Sequence, residues 1–426
     1  MSKDRAHKSK EGAQAGSILR QPTAVWAIAF ACAVSFMGIG LVDPILPAIS
    51  EELHASPSQT MLLFTSYLLI TAVAMFFSGF ISSRLGVKRT LLAGLVFIVV
   101  FAALAGASDT VGQIIGFRAG WGLGNALFIS TALAAIVGAA TGGSARAVIL
   151  YEAALGIGMA AGPLLGGALG EISWRGPFFG TAVLMAVALL AIVVLLRDSG
   201  AKPEPVPFTA GLSAVRNPAL LALAITALFY NYGFFTLLAY TPYPLEEAAS
   251  QAGLDFGAHE LGLVFFGWGT ALAITSVFVA PILTRRFGLL PVLFTMLSLL
   301  GVGLAVMAVG VNSVPVLITV VVVSGLFLGV LNTALTQTVM EATDLPRNVA
   351  SSTYSGVRFL GGAVAPAVSG GIAEAMGEGA PYWFGVASLV ASIVALAIGS
   401  GTLAHLARPH LAAQKEAEAV TAGAEA

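Results

Sequence analysis

Charged side chains are scarce in this chain of 426 residues. Asp, Glu, Lys and Arg make up 10% of the sequence, whereas 58% of it is hydrophobic. A water-soluble domain averages about 25% charged residues, so this chain has too little polar surface to cover a soluble globule. The formal net charge is −1. We therefore expect no nucleic-acid partner, because such partners are bound through basic patches.

The chain also has few cysteines and histidines, and it lacks a common nucleotide-binding motif. Cys32 is the only cysteine, which excludes an intrachain disulfide and a cysteine-based metal site. The five histidines are scattered, and the motif GxxxxGK(S/T), which binds ATP phosphates, does not occur. We also find no catalytic constellation of side chains. The sequence therefore predicts no enzyme activity, no catalytic residues, no metal and no cofactor.

Long apolar runs are abundant instead. A bilayer core needs about 20 apolar residues per helix. Twelve runs suit that length, near residues 24–48, 60–82, 90–107, 112–139, 147–170, 177–196, 219–242, 260–284, 289–311, 314–338, 350–376 and 381–404. The runs are continuous rather than short and alternating, which argues against membrane-spanning strands. We predict an all-α membrane protein with twelve transmembrane helices.

The distribution of basic residues predicts the orientation of these spans. Seventeen of the twenty Lys and Arg residues lie in the two tails or in even-numbered loops, and the other three are Arg118, Arg175 and Arg358. Odd-numbered loops contain acids instead, such as Glu51 and Glu247. Loops rich in Lys and Arg stay in the cytoplasm. We predict a multi-pass protein of the cytoplasmic membrane with both termini in the cytoplasm.

Internal repeats divide the chain into two halves. GFISSRLG (79–86) matches PILTRRFG (281–288), and GPLLGG (162–167) is echoed by APAVSGG (365–371), at offsets of 202 and 203. The polar, Pro-rich segment 197–217 separates the halves. We predict two pseudo-symmetric six-helix bundles. The expected regions are an N-terminal cytoplasmic tail (1–23), the first bundle (24–196), a cytoplasmic linker (197–218), the second bundle (219–404) and a C-terminal cytoplasmic tail (405–426).

Two features inside the spans depart from simple apolar packing. Arg118 has no charged residue within eight positions on either side. A guanidinium at membrane depth costs about 2.5–3.5 kcal/mol on insertion scales, so we expect it to have a partner and a function. In the fifth span, Gly158, Gly162 and Gly166 line one helix face, which permits close approach of a neighbouring helix. Pro163 removes a backbone hydrogen bond there. The spacing alone favours ordinary packing of small residues.

Four motifs, in order and on matching spans, resemble those of the major facilitator superfamily, specifically its twelve-helix drug:proton antiporters. They are MGIGLVDPILPAI (37–49), GFISSRLGVKRTL (79–91), IIGFRAGWGLGNA (114–126) and GMAAGPLLGG (158–167). The resemblance implies export by antiport, with gating motifs formed by Gly79, Arg84, Gly86, Lys88, Arg89, Gly158, Gly162, Pro163, Gly166 and Gly167. One position departs from the family pattern. Ser83 replaces an acid that holds the cytoplasmic side of the halves together, and Glu152 is a possible substitute for that acid.

Three residues are candidates for proton coupling. Asp43 lies near the predicted outer end of the first span, at a depth comparable to that of Arg118. A carboxylate whose protonation depends on a nearby guanidinium can transfer protons, and the resemblance pairs such an acid with the fourth-span arginine. Asp43 could instead anchor the span at the interface. Glu152, in the fifth span, could bind protons or a cationic substrate, or pair with a loop arginine such as Arg84.

Five residues are candidates for lining a substrate cavity: Asn125, Tyr230, Asn231, Phe234 and Arg358. Aromatic walls suit lipophilic and cationic ligands, although aromatic stripes in membrane helices are more often packing. The side-chain amide of an asparagine at mid-membrane depth needs hydrogen-bond partners, which favours a place at a polar cavity. Arg358 could face the cavity or be the structural partner of a helix carbonyl.

The sequence thus predicts a proton-coupled efflux transporter (antiporter) of small amphipathic or lipophilic compounds. Its partners would be the substrate, protons and the lipid bilayer, and we expect a monomer. One alternative is an importer of a sugar or metabolite, against which the fifth-span motif argues. The other is a non-transporting receptor or scaffold with the same fold, which would not need two buried charges and a gating proline.

Overall fold

The structure is a computed structural model that describes residues 21–140, 144–196, 205–343, 345 and 347–403. Every regular element within these ranges is helical. Before the linker lie α1 (Thr23–Gly40), α2 (Leu46–Glu52), α3 (Pro57–Leu85), α4 (Val87–Gly106), α5 (Val111–Ala139), α6 (Ser144–Ile172) and α7 (Gly176–Leu195). The later helices are α8 (Ala210–Ala214), α9 (Pro218–Tyr240), α10 (Pro242–Gln251), α11 (Ala258–Ile274), α12 (Ala280–Phe287), α13 (Leu289–Val309), α14 (Val314–Glu341), α15 (Arg347–Met376) and α16 (Ala380–Gly399).

Eleven helical segments in the described ranges are long and apolar enough to cross a membrane. They coincide with eleven of the twelve predicted spans. Helix α5, which has 29 residues, occupies the position of the fourth predicted span. The prediction of an all-α membrane protein with twelve spans is confirmed.

Two of the predicted spans are interrupted at prolines. The first was expected to be continuous, but α1 ends at Gly40 and a 3-10 turn (Asp43–Ile45) precedes α2. Pro44 has no amide hydrogen to donate and disfavours a helical conformation in the residue before it. In the eighth span a π-helical turn (Thr275–Val279) joins α11 to α12, just before Pro281. Such turns accommodate a missing helical hydrogen bond.

Two helix pairs bring the first half (α1–α7) against the second half (α9–α16). Helix α6 packs on α11, and α3 packs on α15. In the second pair, Thr65 donates a hydrogen bond to the carbonyl oxygen of Ala363 at 3.0 Å. Polar and small residues favour such contacts because lipid offers no hydrophobic driving force between helices. Residues at this interface are therefore positioned by elements of both halves.

The internal repeat is visible in the backbone. Gly86, between α3 and α4, and Gly288, between α12 and α13, both have a φ of 85°. This left-handed conformation is easily adopted only by glycine. The two residues occupy equivalent positions in the repeated motif, 202 residues apart. The same sharp turn therefore links the second and third spans of each half.

Candidate functional site

Arg118 is fully buried among α1, α3 and α5. Its Nε donates to the carbonyl oxygen of Leu63 and its Nη1 to that of Gly38, both at 3.4 Å. Its guanidinium carbon lies 4.6 Å from the ring centroid of Tyr67 and 4.8 Å from that of Trp121. Carbonyl oxygens and aromatic faces both stabilise a cation removed from water. The partners expected for this charge therefore include backbone and aromatic groups of its own half.

The side chains of Asp43 and Glu152 lie outside the part of the chain that the structure describes. The backbone places Asp43 in the 3-10 turn after α1, and Glu152 near the start of α6. Gly38, which accepts a hydrogen bond from Arg118, belongs to the last turn of α1. Arg118 thus lies beside the segment that leads to Asp43. The roles of both acids stay predictions.

The glycine face of α6 packs against α1. A methyl group added to Gly158, Gly162 or Gly166 would lie 2.2, 2.6 or 2.3 Å from a carbonyl oxygen of α1 or of Leu41, the residue that follows it. A real Cβ atom is not accommodated at such distances. The close helix approach predicted from the spacing is present, but its partner belongs to the same half rather than to the other one.

The adjoining face of α6 makes the contact with the second half. A methyl group on Gly262 of α11 would lie 2.7 Å from the carbonyl oxygen of Pro163, and one on Gly269 would lie 2.5 Å from that of Met159. A methyl group on Gly167 would similarly meet the carbonyl oxygen of Ala258, at 2.6 Å. The α11 glycines were missed in the sequence, although their spacing of seven residues places them on one helix face.

The loop motif between α3 and α4 contains a lysine that binds the end of another helix. Lys88 Nζ donates to the carbonyl oxygens of Val193 and Leu196 at the end of α7. A cation is stabilising there because of the helix dipole. Arg84 and Arg89 are exposed. The described contacts of Lys88 are thus within the first half.

Ser83, which replaces the family's acid, binds the linker. Its hydroxyl accepts a hydrogen bond from the backbone N–H of Val206 at 3.3 Å. Gly79 leaves room for the same residue, since a methyl group there would lie 3.9 Å from Val206. Phe208, two residues after Val206, stacks on Phe77 of α3 with ring centroids 4.6 Å apart. The substitution of Glu152 for the family's acid stays a prediction.

The linker segment (residues 205–215) touches both halves. A methyl group on Gly211 would lie 2.5 Å from the carbonyl oxygen of Phe76 on α3. The carbonyl oxygen of Gly211 accepts a hydrogen bond from Thr353 of α15 at 3.1 Å. The linker segment therefore bridges α3 and α15 at the end where α3 stops.

Three predicted cavity residues lie together in the second half. The Tyr230 hydroxyl donates to Oδ1 of Asn332, and Nδ2 of Asn231 donates to the carbonyl oxygen of Arg358 at 2.9 Å. Two residues before Arg358 on α15, a methyl group on Gly356 would lie 2.9 Å from the ring of Phe76 of α3. The cluster thus adjoins the first half.

Phe234 and Asn125 have different surroundings. The ring of Phe234 stacks on Trp268 of α11, with centroids 5.9 Å apart. Asn125 is fully buried, and its Oδ1 accepts a hydrogen bond from Ser35 at 2.5 Å. Phe234 adjoins the polar cluster through Tyr230. Asn125 instead joins α5 to α1, so its role in a cavity stays a prediction.

Polar contacts between the halves also occur at the end where α3 begins, and sequence reasoning missed them. The Tyr243 hydroxyl forms hydrogen bonds with Thr60 and, at 3.5 Å, with Ser50. The Ser58 hydroxyl donates to Glu374 at 2.7 Å. A nearby cavity of about 720 Å³ has five acidic lining residues, Glu246, Glu247, Asp255, Glu374 and Glu378. This end is the one that the charge pattern predicts to be outside.

Comparisons with known proteins agree with this architecture. The family model of the Major Facilitator Superfamily matches residues 28–247 and 244–424. The chain is 50% identical to "Multidrug efflux protein YfmO" of Bacillus subtilis, over 95% of this chain and 100% of the relative. It is 25% identical to "Multidrug resistance protein 1" of the same organism, over 88% and 95% of the two chains.

A solved structure shows the same fold. The human organic anion transporter MFSD10 superposes with a TM-score of 0.69, over 88% of this chain and 99% of the other. Its sequence identity of 17% supports a likeness of fold alone. One conclusion follows from the twelve spans, the repeated motif between neighbouring spans and the double match of the family model. This chain belongs to the major facilitator superfamily of membrane proteins.

Proposed function

We propose that the protein is a proton-coupled exporter of small amphipathic or lipophilic compounds. The observation that supports export most directly is the 50% identity to a multidrug efflux protein over nearly the whole of both chains. At that identity the arrangement of the spans and of the residues between them is shared. The glycine–proline motif of α6 packs against both α1 and α11. It also resembles the fifth-span motif that is typical of exporters in this family.

Proton coupling is assigned to Asp43, with Arg118 as the cation that controls its protonation. The support is the position of Arg118, which is fully buried and hydrogen-bonded to the last turn of α1. A buried cation beside the segment that contains Asp43 favours the ionised carboxylate. When substrate or water changes that environment, the carboxylate gains or loses its proton. Glu152 is the second candidate for this role.

Alternating access would open and close the two ends in turn. Tyr243 and Thr60, and also Ser58 and Glu374, join the halves at the predicted outer end. These hydrogen bonds must break when substrate leaves through that end. The close contact of α6 with α11 provides a surface on which the halves can rock, because small residues leave no side chains to interlock.

Transport by the purified protein in liposomes tests the proposal. A pH-sensitive dye reports proton movement, and a panel of lipophilic compounds provides substrates. Asp43→Asn should abolish uphill export, since an amide cannot release a proton. Glu52→Gln, which removes an exposed acid of α2, is the control and should transport normally.

The same experiment separates the alternatives. Continued uphill export by Asp43→Asn would move the proton role to Glu152. Accumulation driven in the opposite direction would identify an importer. Absence of any substrate-dependent proton movement across the panel would favour a receptor or scaffold.

A further inference from the structure

Arg358 lies at the interface between the halves, in a largely aromatic environment. It is on α15 and half-buried. Its guanidinium carbon lies 5.1 Å from the ring centroid of Phe359 and 5.9 Å from that of Tyr354. The Tyr354 hydroxyl adjoins its guanidinium, and two residues earlier on α15 a methyl group on Gly356 would lie 2.9 Å from the ring of Phe76 of α3, in the first half. Sites between repeats, near the middle of the membrane, are where transporters of this plan bind substrates.

This guanidinium has no acidic partner among the described side chains. The ion pairs found there are Arg175–Asp109 and His259–Glu171. The Nε atom of Arg358 is buried and makes no hydrogen bond. Arg118 is also buried, yet two of its nitrogens donate to carbonyl oxygens. The Nε atom of Arg358 therefore has donor capacity left for a ligand.

Neighbouring residues hold Arg358 in place without neutralising it. Nδ2 of Asn231 donates to the carbonyl oxygen of Arg358, which fixes the backbone. The Tyr230 hydroxyl is engaged with Asn332. The aromatic surface continues from Tyr230 to Phe234, whose ring centroid lies 6.4 Å away. A fixed cation next to a continuous aromatic wall suits a ligand with one anionic group on an apolar body.

We propose that the preferred substrates are amphipathic organic anions, whose carboxylate or sulfonate binds Arg358 between the halves. A guanidinium at membrane depth that has no acidic partner among the described side chains is costly, and a bound anion reduces that cost. Arginine binds such groups through two parallel hydrogen bonds, which lysine cannot form. A cationic substrate would be repelled. This inference rests on the proposed export function and specifies the chemical class of its substrate.

Two xanthene dyes of opposite charge test this preference. Fluorescein is an anion and tetramethylrhodamine methyl ester a cation, on closely related ring systems. Binding is measured by fluorescence anisotropy with purified protein, and export is measured in liposomes. We expect the wild-type protein to bind and export fluorescein in preference to the rhodamine ester.

Substitutions of Arg358 separate charge from geometry. Arg358→Gln should weaken fluorescein binding about tenfold or more, because hydrogen bonds to a charged group contribute at least that much. It should leave binding of the rhodamine ester unchanged or stronger. Arg358→Lys should fall between the two, since it keeps the charge and loses the paired hydrogen bonds. Arg286→Gln, which removes an exposed arginine, is the control and should bind both dyes like the wild type.

Each outcome decides the inference. Equal fluorescein affinity in the wild type and in a well-folded Arg358→Gln variant would overturn it. Export of the rhodamine ester without fluorescein binding would also overturn it, while leaving the export function intact. If no compound of either charge is exported, the proposed function fails and the inference fails with it.

Discussion

At the scale of single residues, the two interior arginines differ in how their charge is satisfied. Arg118 is enclosed by carbonyl oxygens and by the rings of Tyr67 and Trp121. Arg358 has aromatic neighbours and an Nε without a hydrogen bond. A cation that is hydrogen-bonded to the helix leading to Asp43 is suited to tuning that acid, whereas a cation beside a continuous aromatic wall is suited to binding. The difference agrees with separate roles in coupling and in substrate recognition.

Gly162 provides a test of the close contact between α6 and α1. A methyl group there would lie 2.6 Å from the carbonyl oxygen of Met37, so Gly162→Ala should reduce export and Gly162→Leu should reduce it further. Overpacking of this kind costs about 1–3 kcal/mol. Initial export rates in liposomes, at matched protein content, provide the measurement.

The control uses the same chemical change at an open position. Gly116 of α5 is exposed, and a methyl group there would meet nothing within 4 Å. Gly116→Leu should therefore export like the wild type. Wild-type rates in a well-expressed Gly162→Leu variant would show that this contact is not needed for transport.

At the scale of elements, helix α6 and the linker segment both contact more than one part of the molecule. Helix α6 has one small-residue face on α1 and another on α11. The linker segment contacts α3 through Val206 and Phe208, and α15 through Gly211. If the halves move against each other, as the proposed transport requires, the contacts of both elements would change. The linker lies at the end opposite to the Tyr243 contacts.

Phe208 tests whether the linker segment is held against α3. Its ring stacks on Phe77 and lies 5.5 Å from that of Phe80. An aromatic pair contributes about 0.5–1.5 kcal/mol, so Phe208→Ala should release the segment more often. Trypsin cleavage at the exposed Arg216 should then become a few-fold faster, because proteolysis follows local opening. The rate is measured with purified protein by gel electrophoresis.

A lipid-facing phenylalanine serves as the reference for this prediction. Phe278, in the eighth span, is 65% exposed, and Phe278→Ala should leave the cleavage rate unchanged. An unchanged rate in Phe208→Ala as well would show that the stacking does not hold the linker segment.

At the scale of the whole molecule, the ends of the spans are distinguished by charge. Arg175 is the basic residue that breaks the pattern of the loops, and the structure explains its place. It pairs with Asp109 at 3.1 Å and donates to the carbonyl oxygen of Gly106, at the end of α4. Its charge is therefore neutralised locally. The distribution of the other Lys and Arg residues among the loops continues to favour termini in the cytoplasm.

Cysteine labelling tests this orientation. The start of α3 contacts Tyr243 and its end contacts the linker segment, so residues 84 and 247 lie at opposite ends of the molecule. Both are exposed. In a Cys32→Ala background, Glu247→Cys should react with a membrane-impermeant maleimide in intact cells. Arg84→Cys should react only after permeabilisation. Labelling of both in intact cells would contradict the predicted topology.

The sequence by itself determined the twelve spans and the family motifs, because hydropathy and motif spacing are local properties. It also marked Arg118 and the glycine face of α6 as unusual. It could not give their partners. The groups that bind Arg118 include backbone carbonyl oxygens, which every residue possesses, and a small-residue face fits any neighbouring helix equally well.

Only the tertiary structure decided which surfaces meet. It placed α1 on the Gly158–Gly166 face and α11 beside it, and it brought the linker to the hydroxyl of Ser83. It also packed Gly356 of α15 against Phe76 of α3, which lie far apart in the sequence. Long-range contacts of this kind depend on how helices pack, and helix packing is fixed by shapes that no single span encodes.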